Sequence, residues 1–306
     1  MVKNISPSRQ VRLPPAFERC LKILSAYYTT PVEFARRLYV PSRQAAVTQT
    51  LHGGQVHNHP EMFFMIEGIN RIDFPGERYY LRPGHACLIP RGVPHQEKIQ
   101  RVKGSMRMLV LMLRDHNPSF FINDRCKVPL PDDERHGIIE NEEAGRLTSG
   151  LDDLAWLAGC KEEWRNAARR ELGFGLLAWI IAIFKNHQEP PHHSLIVTRA
   201  LYEIDMGLHD PGLGTASIAG KAGCVPDYLS ALFHKETGAR LIACLHHRRM
   251  EKARYLLAHT GLRIKEIAGA CGFNTPDYFT RIFRRVTRQM PRQFRTGSSL
   301  PQDLRK

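Results

Sequence analysis

Two segments of this 306-residue chain repeat one another: Ile218-Ala219-Gly220-Lys221-Ala222-Gly223 and, 49 residues on, Ile267-Ala268-Gly269-Ala270-Cys271-Gly272. Each is followed by a short turn and a second match, Pro226-Asp227-Tyr228-Leu229-Ser230-Ala231-Leu232-Phe233 against Pro276-Asp277-Tyr278-Phe279-Thr280-Arg281-Ile282-Phe283, now offset by 50. The one-residue slip falls in the turn, as expected of two copies of one helical unit. In each copy a short helix packs through an Ile-Ala pair, whose small alanine permits close approach. Gly223 and Gly272 supply the positive φ of a tight inter-helix turn. Pro226 and Pro276 suit the first turn of the next helix, where no amide donor is needed. Leu229, Leu232 and Phe233, like Phe279, Ile282 and Phe283, share one apolar face. The opposite face carries Asp227, Ser230, Ala231, His234 and Lys235 in the first copy, and Asp277, Thr280, Arg281, Arg284 and Arg285 in the second. A helix with a buried stripe and a polar, basic outer face suits a DNA major groove, so these ten residues are the candidate DNA contacts.

Charge supports that placement. Lys and Arg number 44 against 30 Asp and Glu, a net +14, which points to a polyanionic partner. Residues 195–306 hold 18 Lys/Arg against 9 Asp/Glu, while the preceding 194 residues hold 26 against 21. Between the two copies, Arg240 to Ala258 reads as one helix of about 26 Å, compatible with two recognition helices one duplex turn of about 34 Å apart. Residues 187–194, with Pro190-Pro191 among polar neighbours, form the linker that precedes this basic region.

The region from Leu195 to Arg295 resembles the AraC/XylS transcription regulators. The resemblance rests on the repeat itself and on Phe233-His234-Lys235-Glu236-Thr237-Gly238, Arg249…Ala253…Leu256-Leu257, and Ile267-Ala268…Gly272-Phe273…Tyr278-Phe279…Arg281…Phe283-Arg284…Thr287…Pro291…Phe294-Arg295. It implies a DNA-binding domain of two helix-turn-helix units over 195–298. It also implies double-stranded DNA as partner, contact with RNA polymerase, a homodimer, and activation rather than repression. Two positions depart from the family pattern. Ala231 stands where a long base-reading side chain is common, and Arg288 replaces the usual glycine after Thr287.

Upstream of the linker the texture changes twice. From 32 to 115, short apolar runs (Met62 to Ile66, Ala86 to Ile89, Met106 to Leu113) alternate with turns at Pro75-Gly76, Pro83-Gly84 and Pro90-Arg91-Gly92. That spacing predicts an antiparallel β sandwich or barrel. From 142 to 186 the apolar period is helical, and two helices follow. The stripe of Trp164, Ala168, Leu172, Leu176, Trp179 and Ile183 is the candidate dimer or signalling surface. The fold class expected is therefore α+β, a β-barrel with flanking helices followed by an all-α domain. The two halves are expected to be joined only through these helices and the linker.

His57-Asn58-His59-Pro60-Glu61 with Gly68, and Gly84 followed by Pro90, Gly92 and His95, resemble the two motifs of the cupin barrel. The second matches up to His95; in the first, Glu61 follows His59 by two residues instead of four or five. The resemblance implies a sensing barrel whose mouth holds His57, His59, Glu61 and His95; strand alternation, independently of it, makes Arg71 and Tyr79 further candidates for the pocket lining. Such residues suit a small, polar, hydroxyl-rich effector such as a sugar. His57, His59 and His95 are also the candidates for a metal, since imidazoles with a carboxylate suit Fe, Mn, Zn or Ni. The expectation is that no cofactor is held.

The longest apolar stretch, Leu172 to Phe184, has 13 residues against the roughly 20 of a spanning helix, so no membrane role is expected. Seven scattered cysteines without a CxxC pair argue against a disulfide framework or zinc ribbon, and the cytoplasm, at the nucleoid, is the expected location. The function expected is an effector-responsive, sequence-specific transcription regulator and not an enzyme. The alternatives are a metal-dependent cupin enzyme with a basic helical appendage and an architectural DNA binder without a ligand.

Overall fold

The computed structural model describes residues 14–41, 54–99, 105–115, 117–127, 130–131, 134–139, 144–159, 164–186 and 193–297, with residues 141 and 162. Residues 42–53 and 100–104 of the expected barrel, 142–143, 160–161 and 163 of the expected helical segment, 187–192 of the linker and residue 298 lie outside them. Helices α1 (Pro15–Tyr27) and α2 (Pro31–Arg37) come first, each begun by a proline that fits the opening turn. The Thr30 hydroxyl accepts the Glu33 amide at 3.2 Å and caps α2.

The strands are β1 (Leu38–Tyr39), β2 (Glu61–Glu67), β3 (Asn70–Phe74), β4 (Glu77–Leu81), β5 (Ala86–Ile89), β6 (Gln96–Ile99), β7 (Arg107–Met112), β8 (Ser119–Asp124) and β9 (His136–Ile138). They form a large sheet in the order β1-β5-β2-β7-β8-β9 and a small one in the order β4-β3-β6. The two-residue period of a strand sorts β2 between two cores. Met62 and Phe64 join α1, α2, α3 (Ala144–Ala158) and α4 (Trp164–Lys185) on the outer side of the large sheet. Phe63 and Met65 join Ile72, Phe74, Leu81, Val110 and Phe121 between the sheets. Glu61, in phase with Phe63 and Met65, therefore faces the inter-sheet layer.

The β-barrel of the expected fold class is not borne out: the described strands lie in two facing sheets, the sandwich that the turn spacing also allowed. Among the described residues no ladder closes the two sheets into a barrel. The β2–β3 connection passes from one sheet to the other at Gly68, whose φ is 84° and where a Cβ would meet the Ser105 carbonyl oxygen at 2.6 Å. The stripe on α4, the candidate dimer or signalling surface, packs largely within its own chain. Leu176 and Ile183 are buried and Leu172 and Trp179 half-buried in the outer core, so most of the stripe covers the large sheet of its own chain. Trp164 alone of its large residues stands out, 56% exposed.

The C-terminal region is all helix: α5 (Leu195–Met206), α6 (Thr215–Ala222), α7 (Pro226–Thr237), α8 (Leu241–His259), α9 (Ile264–Ala270), α10 (Pro276–Thr287) and α11 (Pro291–Gly297). It has two cores. Ile218, Ala219, Leu229 and Phe233 meet α5 and the start of α8; Ile267, Ala268, Phe279, Ile282 and Phe283 meet the rest of α8. Helix α8 belongs to both, through Leu241 and Leu245 on one side and Met250, Ala253, Leu256 and Leu257 on the other. Its 19 residues span about 28 Å.

The turn glycines behave as their positions require. Gly223 and Gly272 have φ of 76° and 73°, and a Cβ on Gly272 would meet the Leu208 carbonyl oxygen at 2.4 Å. At the ends of the recognition helices the copies differ: Gly238 closes α7 with φ 70°, whereas Arg288 closes α10 with φ 62°. Arg288 is the one non-glycine with positive φ among the described residues. A left-handed conformation costs an L-residue about 1–2 kcal/mol, and part of this returns when glycine replaces it. Arg288→Gly should accordingly raise stability by about 0.5–1 kcal/mol, read from urea unfolding. An unchanged or lower midpoint would show that the arginine side chain repays its backbone strain.

Candidate functional site

The outer faces of α7 and α10 are as the repeat predicts. Leu229, Phe233, Phe279 and Phe283 are fully buried, which turns Asp227, Ser230, Ala231, His234 and Lys235 outward on α7. On α10, Asp277, Arg281, Arg284 and Arg285 are exposed and Thr280 is half-exposed. With Arg288 these five line one concave surface. Thr275 caps α10 by accepting the Tyr278 amide at 3.3 Å, and Asp277 in the first turn complements the helix dipole. The first copy has a poorer reading surface: Ala231 is short, and the Ser230 hydroxyl already donates to the Pro226 carbonyl oxygen at 2.9 Å.

Sequence reasoning overlooked the exposed aromatic pair Tyr228 and Tyr278, 52% and 40% exposed at matching positions of the two copies. The Arg281 guanidinium lies 5.0 Å from the Tyr278 ring centroid, which holds the long side chain in place. Their repetition at equal offsets from Pro226 and Pro276 was the available signal.

A second constellation lies at one end of the inter-sheet layer. His57, His59, Glu61 and His95 are 6%, 5%, 3% and 1% exposed. The Nε2 atoms of His57, His59 and His95 stand 3.7, 3.6 and 3.6 Å from the Glu61 carboxyl oxygens. Glu61 thus joins the histidines despite its short spacing, because β2 begins at Glu61 and turns it to the inner face. His95 Nδ1–H donates to the Val93 carbonyl oxygen at 3.2 Å, and His59 Nδ1–H donates to Asn58 Oδ1 at 3.4 Å. Both leave an Nε2 lone pair pointing inward, and neither Nε2 has a hydrogen-bond partner. His57 Nε2 donates to Gln55 Oε1 at 3.2 Å, a bond it must give up to act as a ligand.

Burial dominates the electrostatics. It holds His57 and His59 well below their ordinary 6.5, helped by the nearby cations Lys252 and Arg114, and it lowers His95 to about 4. Burial also pushes the Glu61 carboxyl up to about 8. Three neutral imidazoles and one carboxylate, with donor atoms of His57, His59 and Glu61 all within 4.8 Å of one another, fit a divalent first-row metal. Such an ion would supply a fixed double charge and a Lewis-acidic position for an effector oxygen.

Arg71 and Tyr79 do not join this cluster. Arg71 alternates to the outer face of β3 and pairs with Asp73 at 3.0 Å. Tyr79 does face inward, but it stacks on Tyr39 at 3.9 Å and bonds His85 at 3.0 Å.

The two halves are docked to one another, contrary to the expectation of a connection through helices and linker alone. Arg114, at the end of β7, pairs with Asp205 of α5 at 3.0 Å, both buried, and Arg248 of α8 lies 3.8 Å from the same carboxylate. Tyr202 packs edge-on to Phe121 at 4.8 Å. The Tyr255 hydroxyl of α8 donates to the Arg91 carbonyl oxygen at 3.1 Å.

Comparison with known proteins agrees with the C-terminal geometry. A helix-turn-helix domain model matches residues 218–297. The arabinose operon regulatory protein of Salmonella typhimurium is 30% identical over 122 residues, 40% of this chain and 43% of that protein. Residues 218–297 are a helix-turn-helix domain, similar to the one that matches in this regulator. Another relative, the HTH-type transcriptional regulator YijO of Escherichia coli, is 43% identical over 70 residues, 23% of this chain and 25% of that one. The chain thus spans less than half the length of either curated relative. Among solved structures, the C-terminal domain of AraT, a response regulator from Geobacillus stearothermophilus, is 34% identical, with 36% of this chain and 92% of that one covered at a TM-score of 0.36.

The pocket makes a prediction of opposite signs for its two residue types. Lowered histidines leave the unfolded chain holding more protons below pH 6.5, so they make stability rise with pH between about 4 and 6.5; His136, lowered to about 4, adds to them. Glu61 keeps its proton in the native state from 4.5 to about 8, so its contribution falls as pH rises through that range. The histidines outnumber it below 6.5, and above 6.5 Glu61 is the member of the cluster that still titrates. Stability in chelator should peak near pH 6.5, and Glu61→Gln should remove about 2 kcal/mol of the decline between pH 6.5 and 8. Parallel urea titrations of the two proteins check this; an identical alkaline limb in both would show that Glu61 is already ionised.

Proposed function

We propose that this protein is a sequence-specific DNA-binding transcription regulator whose N-terminal sandwich is its sensor, built on a cupin-like plan. The observation that carries the reading is the pair of helix-turn-helix units held at the two ends of α8, each with its polar face outward. A helix of about 28 Å between the units suits recognition helices set in successive major grooves of one duplex face. The second unit supplies most of the sequence reading through Arg281, and the first, with Ala231 and an occupied Ser230, binds more through phosphates and shape.

The sensing site is the cluster of His57, His59, Glu61 and His95, and a divalent cation, alone or with a small oxygen-rich effector, is the ligand its donors suit. Relatives named for the arabinose and xylose operons support a small-molecule signal of that kind. Activation, a homodimer, contact with RNA polymerase and a place at the nucleoid extend the same reading from the family. The complete donor set is what the enzyme alternative asked for, but its groups are all under 7% exposed, which leaves a substrate little access. Among the described residues no helix is long and apolar enough to cross a membrane.

Arg281 is placed to bond bidentately with guanine, whereas Arg284 and Arg285 are placed to meet phosphates. On a duplex selected from a random library, Arg281→Ala should cost about 1–3 kcal/mol and lose preference at a single base position. Arg284→Ala or Arg285→Ala should weaken all sequences alike and lower the salt dependence. A full chain that selects no sequence from the library would overturn the reading as a specific regulator.

A further inference from the structure

Lysine is rarely fully buried without a counter-charge. Lys252 is 1% exposed, in the middle of α8, and its electrostatic partners include Glu61 and the three histidines of the sensor cluster. It lies on α8 of the DNA-binding half, three residues before Tyr255. Its neighbours on α8 fasten the helix there. Tyr255 bonds the Arg91 carbonyl oxygen at 3.1 Å, and its ring closes on Gly92, where a Cβ would lie 3.0 Å away. The Gly92 amide in turn donates to the His57 carbonyl oxygen at 2.8 Å. Val56, beside His57, packs against the core of the second helix-turn-helix unit. One short turn therefore holds a sensor histidine on one side and α8 on the other.

The charges at this junction lean positive even without a metal. Arg114 and Arg248 share Asp205, and Arg248 also lies 3.8 Å from Glu251, whereas Glu61, which Lys252 would otherwise neutralise, keeps its proton up to about pH 8. A divalent cation among the four donors would add two positive charges beside a buried ammonium that has little water to screen it.

On the reading that the cluster holds a divalent cation, we propose that Lys252 is a plug for that site carried by the DNA-binding half, so that cation binding and docking of α8 exclude one another. Linkage makes the effect reciprocal: whatever factor docking takes from cation affinity, the cation takes from docking. The released helix is the one that sets the spacing of the two recognition helices. Occupancy of the sensor is thereby transmitted to DNA through one side chain.

The test uses the full chain stripped of metal and titrated with Co²⁺ alone, read by calorimetry and by the visible absorption of the bound ion. Lys252→Met keeps the buried stem without its charge and should tighten Co²⁺ binding at least 10-fold. Tyr255→Phe, which removes the hydroxyl's bond to the Arg91 carbonyl oxygen, should tighten it about 3-fold. His95→Ala should weaken it at least 100-fold, as expected from loss of a ligand. In the wild type, saturating Co²⁺ should also increase the radius of gyration measured by X-ray scattering as the halves separate. If Lys252→Met and Tyr255→Phe bind Co²⁺ like the wild type while His95→Ala does not, the site stands and the plug is wrong. If His95→Ala binds as well as the wild type, the cation reading of the cluster fails and the plug with it.

Discussion

Helix α8 has to satisfy three surfaces at once. Leu241 and Leu245 close the core of the first helix-turn-helix unit, and Met250, Ala253, Leu256 and Leu257 close that of the second. Lys252 and Tyr255 meet the sensor domain. A rigid helix fixes the relative position of everything packed along it, so the distance between the recognition helices and their relation to the sensor are set by one element. Buried Arg249 ties it further, donating to the carbonyl oxygens of Leu208 and Asp210 at 3.2 and 2.6 Å. These are the bonds beside which Gly272 must remain without a side chain.

The sensor places its polar cluster in the layer between its sheets, where apolar neighbours such as Phe63 and Phe74 surround His95. That setting makes charge expensive and keeps the imidazoles neutral, the form that binds a metal. It also makes the cluster sensitive to any charge brought alongside. The DNA-binding half brings one. A site of this kind responds to its ligand and to the position of the neighbouring domain together, which is the physical content of coupling between two sites.

The helical third was largely legible in the sequence because its constraints are local. An alanine in a close contact, a glycine at positive φ and a proline in a first turn all leave residue-level marks, and the repeat displayed each of them twice. Arg288 stood out for the same reason, as a missing glycine at a position that does require φ above zero. The sensor was less legible. Its turns and apolar runs announced strands, but which strands share a sheet depends on long-range pairing, and sandwich could not be told from barrel. Glu61 was left out of the metal candidates by counting residues, where the start and phase of β2 decide its direction. Arg71 was placed in the pocket for want of that same register. Docking of the two halves was invisible. Lys252 and Tyr255 read as ordinary members of an amphipathic helix, and only the fold shows that what they face is protein.

The central claim is that two units at the ends of α8 read two successive grooves of one duplex. A hydroxyl-radical footprint of the full chain on a duplex it selects addresses this most directly. The account predicts two protected patches, about 10 base pairs apart and on the same face of the DNA, for each bound chain. A single patch per chain, or two patches on opposite faces, would contradict it.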